Sequence, residues 1–123
     1  MQITIHRATQ IGGQITRIST AHASIIIDLG HNLPNRAEDE DVYDNDRAIA
    51  RITEGCSAIL YTHYHGDHIG RFNKILPGIP LYMSQMCRYA LLNIYHALAK
   101  HDAQYKKQIE ILEDKTRNHV LWP

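Results

Sequence analysis

The sequence lacks several features that would each have assigned the chain to a class. Among its 123 residues, 13 Lys and Arg balance 13 Asp and Glu, so the formal net charge is zero. Because proteins that bind nucleic acids are usually basic, this balance counts against a nucleic-acid-binding surface. No apolar run is long enough to cross a membrane, and no signal-peptide pattern follows Met1.

Cysteine is also scarce. Cys56 and Cys87 are the two in the sequence, too few for a disulfide framework. Cys56 opens a predicted buried strand and Cys87 lies in a predicted helix, so we expect two reduced thiols in a cytoplasmic protein. There is no internal repeat or low-complexity segment, and 44% hydrophobic with 21% charged residues is typical of a globular domain.

Histidine, by contrast, is abundant and concentrated. Nine residues are His, and residues 63–68 read His-Tyr-His-Gly-Asp-His. Neutral imidazole and carboxylate oxygen are the ligands that Zn²⁺, Fe²⁺ and Mn²⁺ take. The segment therefore predicts a divalent-metal site; the alternative is an exposed His-rich turn without a metal. The candidate ligands are His63, His65, Asp67 and His68.

The spacing of these residues has a geometric interpretation. Residues 56–62 are predicted to form a buried strand, after which His63 and His65 point to the same side of the extended chain. Gly66 permits a sharp turn, and Asp67 begins a predicted helix over residues 67–75. One four-coordinate ion could hardly accept all four ligands from so short a segment. Two ions about 4 Å apart could, one bound by the two strand histidines and the other by the helix-start pair.

Residues 62–68, Thr-His-Tyr-His-Gly-Asp-His, resemble the metal-binding signature of the metallo-β-lactamase-fold hydrolases. Residues 24–30, Ser-Ile-Ile-Ile-Asp-Leu-Gly, resemble that family's strand ending in an acidic residue and glycine. Residues 10–14, Gln-Ile-Gly-Gly-Gln, resemble the glycine loop of its ribonuclease J-like branch. The resemblance covers about residues 1–95. Its metal motif is a highly specific signal for the family, whereas its glycine loop is a weak one.

The resemblance implies roles for individual residues. His63 and His65 would bind the first metal ion, and Asp67 and His68 the second. Asp67 would also orient the attacking water, which makes it the candidate catalytic residue. Asp28 would brace the ligand loop without binding the metal itself. The implied ions are two Zn²⁺, with Mn²⁺ and Fe²⁺ as alternatives.

The resemblance also implies an α/β (α+β) fold. The chain would be the N-terminal half of a metallo-β-lactamase αββα sandwich, a mixed sheet with helices on one face. We therefore expect residues 1–123 to be a single, truncated domain. The sheet face that meets the second sheet in the full sandwich would be uncovered. We expect a homodimer, or a missing second half, to cover it.

The chain departs from the family in its downstream ligands. The family completes its site with a later His, a bridging Asp and a final His, whereas no Asp follows Asp114 here. Of the remaining histidines, His96 and His101 lie in a predicted helix. His119 adjoins a possible terminal strand and is the weaker candidate ligand. The ligand set is thus incomplete, so the motif indicates a metallo-hydrolase without settling whether this chain is an enzyme.

Three functions remain open. The first is a hydrolase in which a metal-activated water attacks an ester or phosphodiester, with an RNA-related substrate implied by the resemblance. The second is a catalytically silent metal-binding half-domain or truncated remnant. The third is a small-molecule hydrolase that acts on thioesters or lactones. A net charge of zero is more compatible with this function than with a nuclease.

The remaining pattern predicts the other elements. Strands are expected at residues 1–6, 15–19, 23–29 and 79–83, and helices at 47–54, 85–100 and 104–116. Asp44 or Asp46 is expected to cap the first of these helices and Ser84 the second. Residues 32–46, which contain the acidic run 38–41, are expected to form a loop.

Overall fold

The structure is a computed structural model, and it describes residues 1–33 and 45–121. Six strands form one mixed sheet in the order β1-β2-β3-β4-β5-β6. The acidic run 38–41 and the cap predicted at Asp44 lie outside the described residues. The strands are β1 Gln2–His6, β2 Ile15–Ser19, β3 Ser24–Leu29, β4 Ala58–Leu60, β5 Leu81–Ser84 and β6 Val120–Leu121.

The sheet is antiparallel at one edge and parallel at the other. β1 pairs with β2, and β2 with β3, in antiparallel register. From β3 onward the pairs are parallel, with Ile26 opposite Ile59 and Ile59 opposite Leu81. The parallel strands are joined by helical crossovers, as parallel pairing requires. The carboxyl ends of β3 and β4 therefore lie at the same edge, where the motif begins.

Four α-helices and one 3₁₀ turn complete the described chain. They are α1 Asp46–Thr53, α2 Gly66–Ile69, the 3₁₀ turn Phe72–Lys74, α3 Gln85–Ala99 and α4 Gln104–Thr116. The Ser84 hydroxyl accepts a hydrogen bond from the Cys87 N–H, which confirms the predicted cap of α3. The cap of α1 is Asn45, whose side chain accepts from the Ala48 N–H, so the cap predicted at Asp46 is wrong by one residue.

One face of the sheet packs against the helices. Ile26, Ile59 and Leu81, which are neighbours across three strands, are all fully buried. Phe72 and Leu112 extend this core into the helical layer. Alternating strand residues thus place the apolar core on one side, as predicted for a sheet with helices on one face.

The other face of the sheet is apolar but partly open to solvent. The strand registers place these residues on it: Ile3, Ile5, Thr16, Ile18, Ile25, Ile27, Ala58, Leu60 and Tyr82. We call these residues the open face. Ile3 and Ile5 are 55% and 54% exposed, and none of the nine residues is charged. In the described part of the chain, no helix has both the length and the apolar character needed to span a membrane.

Candidate metal centre

The His-rich motif begins three residues after the end of β4 and ends in α2. His65 is the residue before α2, and its carbonyl accepts from the His68 and Ile69 N–H groups at 2.9 and 3.0 Å. The predicted helix over residues 67–75 is wrong in length, since α2 ends at Ile69. The reason lies in the backbone partners of the next turn, where the Arg71 N–H donates to the Leu29 carbonyl instead of continuing the helix.

Asp28 reaches the motif through an irregularity in β3. Thr16 pairs with Ile27 while Ile15 pairs with Leu29, so Asp28 has no partner residue in the register. Its φ of 59° lies in the left-handed region, which is uncommon for a residue other than glycine. This is a β-bulge, a device that redirects a side chain next to a functional site. The Asp28 residue is 3% exposed.

The Asp28 carboxylate organises the motif by three hydrogen bonds. Its Oδ1 accepts from the Thr62 N–H at 2.8 Å. Its Oδ2 accepts from the Thr62 hydroxyl at 2.8 Å and lies 2.8 Å from His68 Nδ1. Asp28 thus joins Thr62, directly before the motif, to His68 at its end.

The same network determines which ring nitrogens carry protons. Because the carboxylate can only accept, His68 Nδ1 must be the protonated nitrogen in its bond to Asp28. The Thr62 hydroxyl has one proton, which it donates to Asp28, so it accepts from His63 Nδ1 at 2.9 Å. In the neutral form of both rings, Nε2 is then left with a free lone pair. That is the tautomer a metal ligand needs.

The three histidine rings lie against one another. The ring centroids of His63 and His68 are 3.9 Å apart, and those of His63 and His65 are 4.8 Å apart. Burial, followed by the neighbouring His68 and His65, lowers the pKa of His63 below its usual value. A lowered pKa keeps this imidazole neutral near neutral pH, which favours metal binding over protonation.

The pair formed by Asp67 and His68 has the separation expected of two ligands on one ion. His68 Nε2 lies 3.4 Å from Asp67 Oδ2. Two atoms that each bind a tetrahedral Zn²⁺ at about 2.0–2.1 Å are about 3.3 Å from each other. Yet within residues 1–33 and 45–121 no group of three or more His, Cys, Asp or Glu side chains is gathered as a metal site. The donor chemistry fits a metal ion, and the donor atoms of Asp67 and His68 lie at a separation that suits one ion.

Glycines make room for Asp67. A Cβ on Gly12 would lie 2.9 Å from Asp67 Oδ2 and 2.7 Å from the Leu33 side chain. A Cβ on Gly30 would collide with the Asp67 backbone carbonyl. Gly12 also has a φ of 81°, a backbone conformation that residues other than glycine rarely adopt. The loop of residues 10–14 therefore lies directly against the candidate catalytic carboxylate.

The later histidines lie elsewhere. The His119 ring contacts Tyr82, with centroids 5.1 Å apart. Val120 pairs with Met83 and Tyr82 with Leu60, so His119 is level with Leu60, three residues before His63. We therefore leave His119 out of the candidate site. His96 and His101, in α3 and just after it, are exposed.

Two contributors to the site were missed at the level of sequence. Thr62 was recognised as part of the motif, yet its link between Asp28 and His63 was not. Arg7, which donates to the Gly13 and Gly30 carbonyls, was not noticed at all. A charged residue directly after an alternating strand is too common to be singled out, so no signal in the sequence would have found Arg7.

Comparison with known proteins supports the fold. No protein-family model matches the chain, and no curated protein matches it. Among solved structures, a protein of unknown function from Enterococcus faecalis V583 is 21% identical with a TM-score of 0.58, covering 77% of this chain and 28% of that one. AidC, described as a dizinc quorum-quenching lactonase in complex with a product, N-hexnoyl-L-homoserine, is 15% identical with a TM-score of 0.51.

The alignment with AidC covers 89% of this chain and 42% of the lactonase. The chain thus spans less than half the length of either structure. The class defined by these likenesses is an α+β fold with a structural neighbour in the metallo-β-lactamase fold, which confirms the predicted fold class. The ribonuclease J-like branch and the assignment to an N-terminal half stay predictions.

Proposed function

We propose that the chain is the metal-binding portion of a hydrolase in which water, activated by a divalent metal, attacks a carboxylic ester or lactone. The proposal rests on one observation above all. The buried Asp28 carboxylate, directly and through Thr62, orients His68 and His63 so that each neutral ring keeps Nε2 free. A simple surface turn would not need a strained, buried carboxylate behind its histidines.

The residues would divide the work as follows. His63 and His65 would hold one ion, and Asp67 and His68 the other, with Zn²⁺ preferred and Mn²⁺ or Fe²⁺ as alternatives. A divalent metal lowers the pKa of water toward neutrality and so supplies a nucleophile at neutral pH. Asp67 would accept a hydrogen bond from that water and orient it toward the substrate carbonyl. Asp28 would hold the His68 ring in place throughout.

The substrate class is chosen on charge and on the structural neighbour. The net charge of zero does not favour a polyanionic substrate. AidC, which shares the fold, is described as a lactonase. A carboxylic ester or lactone is therefore preferred to the RNA-related phosphodiester, which the test below keeps as a separate outcome.

The test combines metal analysis with turnover. We expect the purified chain to retain Zn²⁺ after dialysis and to hydrolyse a homoserine lactone. His65→Ala should reduce both metal content and turnover by at least about tenfold, because it removes a proposed ligand. His22→Ala is the matched control, since His22 is exposed and lies in the β2–β3 turn. Turnover of bis(p-nitrophenyl) phosphate without turnover of the lactone would show that the substrate is a phosphodiester and not an ester or lactone.

A second candidate is a catalytically silent metal-binding half-domain. It is supported by the finding that, within the described residues, no three His, Cys, Asp or Glu side chains are gathered as a metal site. Retention of metal by the chain, lost in His65→Ala, with no turnover of either substrate would favour this candidate.

We also propose that a second apolar sheet surface covers the open face, from a second copy of the chain or from further polypeptide. The apolar character of the face and the exposure of Ile3 and Ile5 support this. We propose a cytoplasmic location as well, because Cys56 and Cys87 are both buried, unpaired thiols.

A further inference from the structure

Arg7 is an unusual residue for its position. It follows β1 directly, is only 8% exposed, and has a φ of 56°, in the left-handed region. Burying a guanidinium and holding a side-chain-bearing residue in this conformation both cost free energy. Such a residue is retained where its contacts compensate for these costs.

Its Nη1 atom contacts two backbone carbonyls. It donates to the Gly13 carbonyl at 2.7 Å and to the Gly30 carbonyl at 2.9 Å. A Cβ on Gly13 would lie 2.9 Å from this same nitrogen, so glycine is what lets the guanidinium approach. Arg7 thereby joins the β1–β2 turn to the end of β3.

Each of these carbonyls belongs to a peptide group whose N–H donates to the His-rich motif. The Gly13 carbonyl shares a peptide with the Gln14 N–H, which donates to the Asp67 carbonyl at 3.1 Å. The Gly30 carbonyl shares a peptide with the His31 N–H, which donates to the Gly66 carbonyl at 2.9 Å. No described peptide bond is cis, so the carbonyl and N–H of each group point in opposite directions.

The two peptide groups therefore act as bridges between a cation and the metal-binding segment. A hydrogen bond from a charged donor polarises the carbonyl and strengthens donation by the N–H at the other end of the peptide. Both bridges end on consecutive residues, Gly66 and Asp67, the second of which carries the candidate ligand carboxylate. No comparable pair of bridges would be needed to hold the sheet together, since β1 and β2 already pair over five residues.

We propose that Arg7 is a positioning residue for the metal centre, acting through the Gly13–Gln14 and Gly30–His31 peptide groups to hold Gly66 and Asp67 in place. The proposal rests on the proposed metal-binding function. Arg7 touches neither metal nor substrate; it determines where the Asp67 backbone lies, and hence where the carboxylate begins.

The experiment compares Arg7→Met with Arg17→Met. Arg17 is a matched control because it too donates to two backbone carbonyls, those of Ile52 at 2.7 Å and Glu54 at 2.9 Å, at the C-terminal end of α1. Both variants should lose stability in urea unfolding. Arg7→Lys, which keeps the charge and can reach at least one carbonyl, should restore part of what Arg7→Met loses.

Two readouts separate the outcomes. In the metal-free protein, Arg7→Met should accelerate hydrogen exchange of the Gln14 and His31 amides by at least about tenfold, while Arg17→Met leaves them as in the parent. In a Co²⁺ titration followed by absorption, Arg7→Met should weaken binding by about 10-fold or more, the effect expected of an outer support of a metal site.

If Arg7→Met does not fold, Arg7→Lys is compared with Arg17→Lys by the same readouts. Equal exchange at both amides in the two variants would overturn the positioning role. Unchanged Co²⁺ affinity in Arg7→Met would also overturn it. If the parent binds no Co²⁺ at all, the proposed function fails, and the exchange rates alone decide whether Arg7 holds the segment.

Discussion

At the level of single residues, Asp28 contributes to the candidate site through both its side chain and its backbone. Its carboxylate accepts from the Thr62 backbone and hydroxyl and from His68 Nδ1, while its own backbone occupies a left-handed conformation. Aspartate is one of the few residues other than glycine that tolerate this conformation. Both the side chain and the backbone of this position therefore restrict what can replace it.

Asp28→Asn tests the side chain while preserving the backbone preference. An amide NH₂ cannot accept from His68 Nδ1, so the His68 ring should lose its fixed orientation. We expect Zn²⁺ or Co²⁺ affinity to fall by about 10- to 100-fold, measured by competition with a chromogenic chelator. Asp114→Asn, at a position 81% exposed, is the control and should bind as the parent does. Unchanged affinity in Asp28→Asn would contradict the bracing role.

At the level of elements, sequence periodicity predicted what depends on neighbouring residues. β2 and α4 have the predicted bounds, and Ser84 caps α3 as expected. The error at α2 arose from contacts that are distant in sequence, because the Asp67 carbonyl accepts from Gln14 and the Arg71 N–H donates to Leu29. These bonds depend on which strand ends meet, which periodicity does not reveal.

The candidate site likewise has a part that the sequence predicted and a part that it did not. The motif residues could be recognised because they lie within six positions of one another, and Asp28 because its strand resembled a known family. The connection through Thr62 and the anchoring of the segment by Arg7 join positions tens of residues apart. A bulge such as that at Asp28 is likewise visible only once the register of β2 and β3 is known.

The glycine loop offers a test with an internal reference. Gly12 and Gly55 both have positive φ, 81° and 67°, but a Cβ on Gly55 would meet nothing within 4 Å. Gly55→Ala should therefore lower the free energy of unfolding by about 1–2 kcal/mol, the cost of placing a residue other than glycine in a left-handed conformation. Gly12→Ala should lose about 1–3 kcal/mol more, because its methyl group collides with Asp67 and Leu33. Urea unfolding of both variants measures the difference, and equal losses would mean that Asp67 yields freely.

On the scale of the whole molecule, the sheet has two apolar faces, and within residues 1–33 and 45–121 only one of them is packed against helices. Ile26, Ile59 and Leu81 are buried on the helical side, while Ile3 and Ile5 lie on the open face at more than half exposure. A continuous apolar surface of this kind in water favours association. The described residues thus cover one apolar face of the sheet and leave part of the other exposed to solvent.

Ile5→Lys tests whether the open face is an interface. We expect the parent chain to sediment as a dimer or larger assembly, and Ile5→Lys to shift it toward monomer, because the charge would have to be buried. Met86→Lys is the control, since Met86 is 69% exposed and lies on α3 rather than on the open face. A parent chain that sediments as a stable, folded monomer would end the proposal.

The bulge at Asp28 has a consequence for how such a chain can change. Without that residue, β3 would read Ser-Ile-Ile-Ile-Leu, and inward and outward positions would alternate without interruption. Deleting it would repair the ladder and remove a strained torsion, but it would also remove the carboxylate that joins Thr62 to His68. The extra residue interrupts β3 and is useful only through its contacts with the motif. In a chain whose histidines had no function, we would therefore expect Asp28 to be deleted or replaced early.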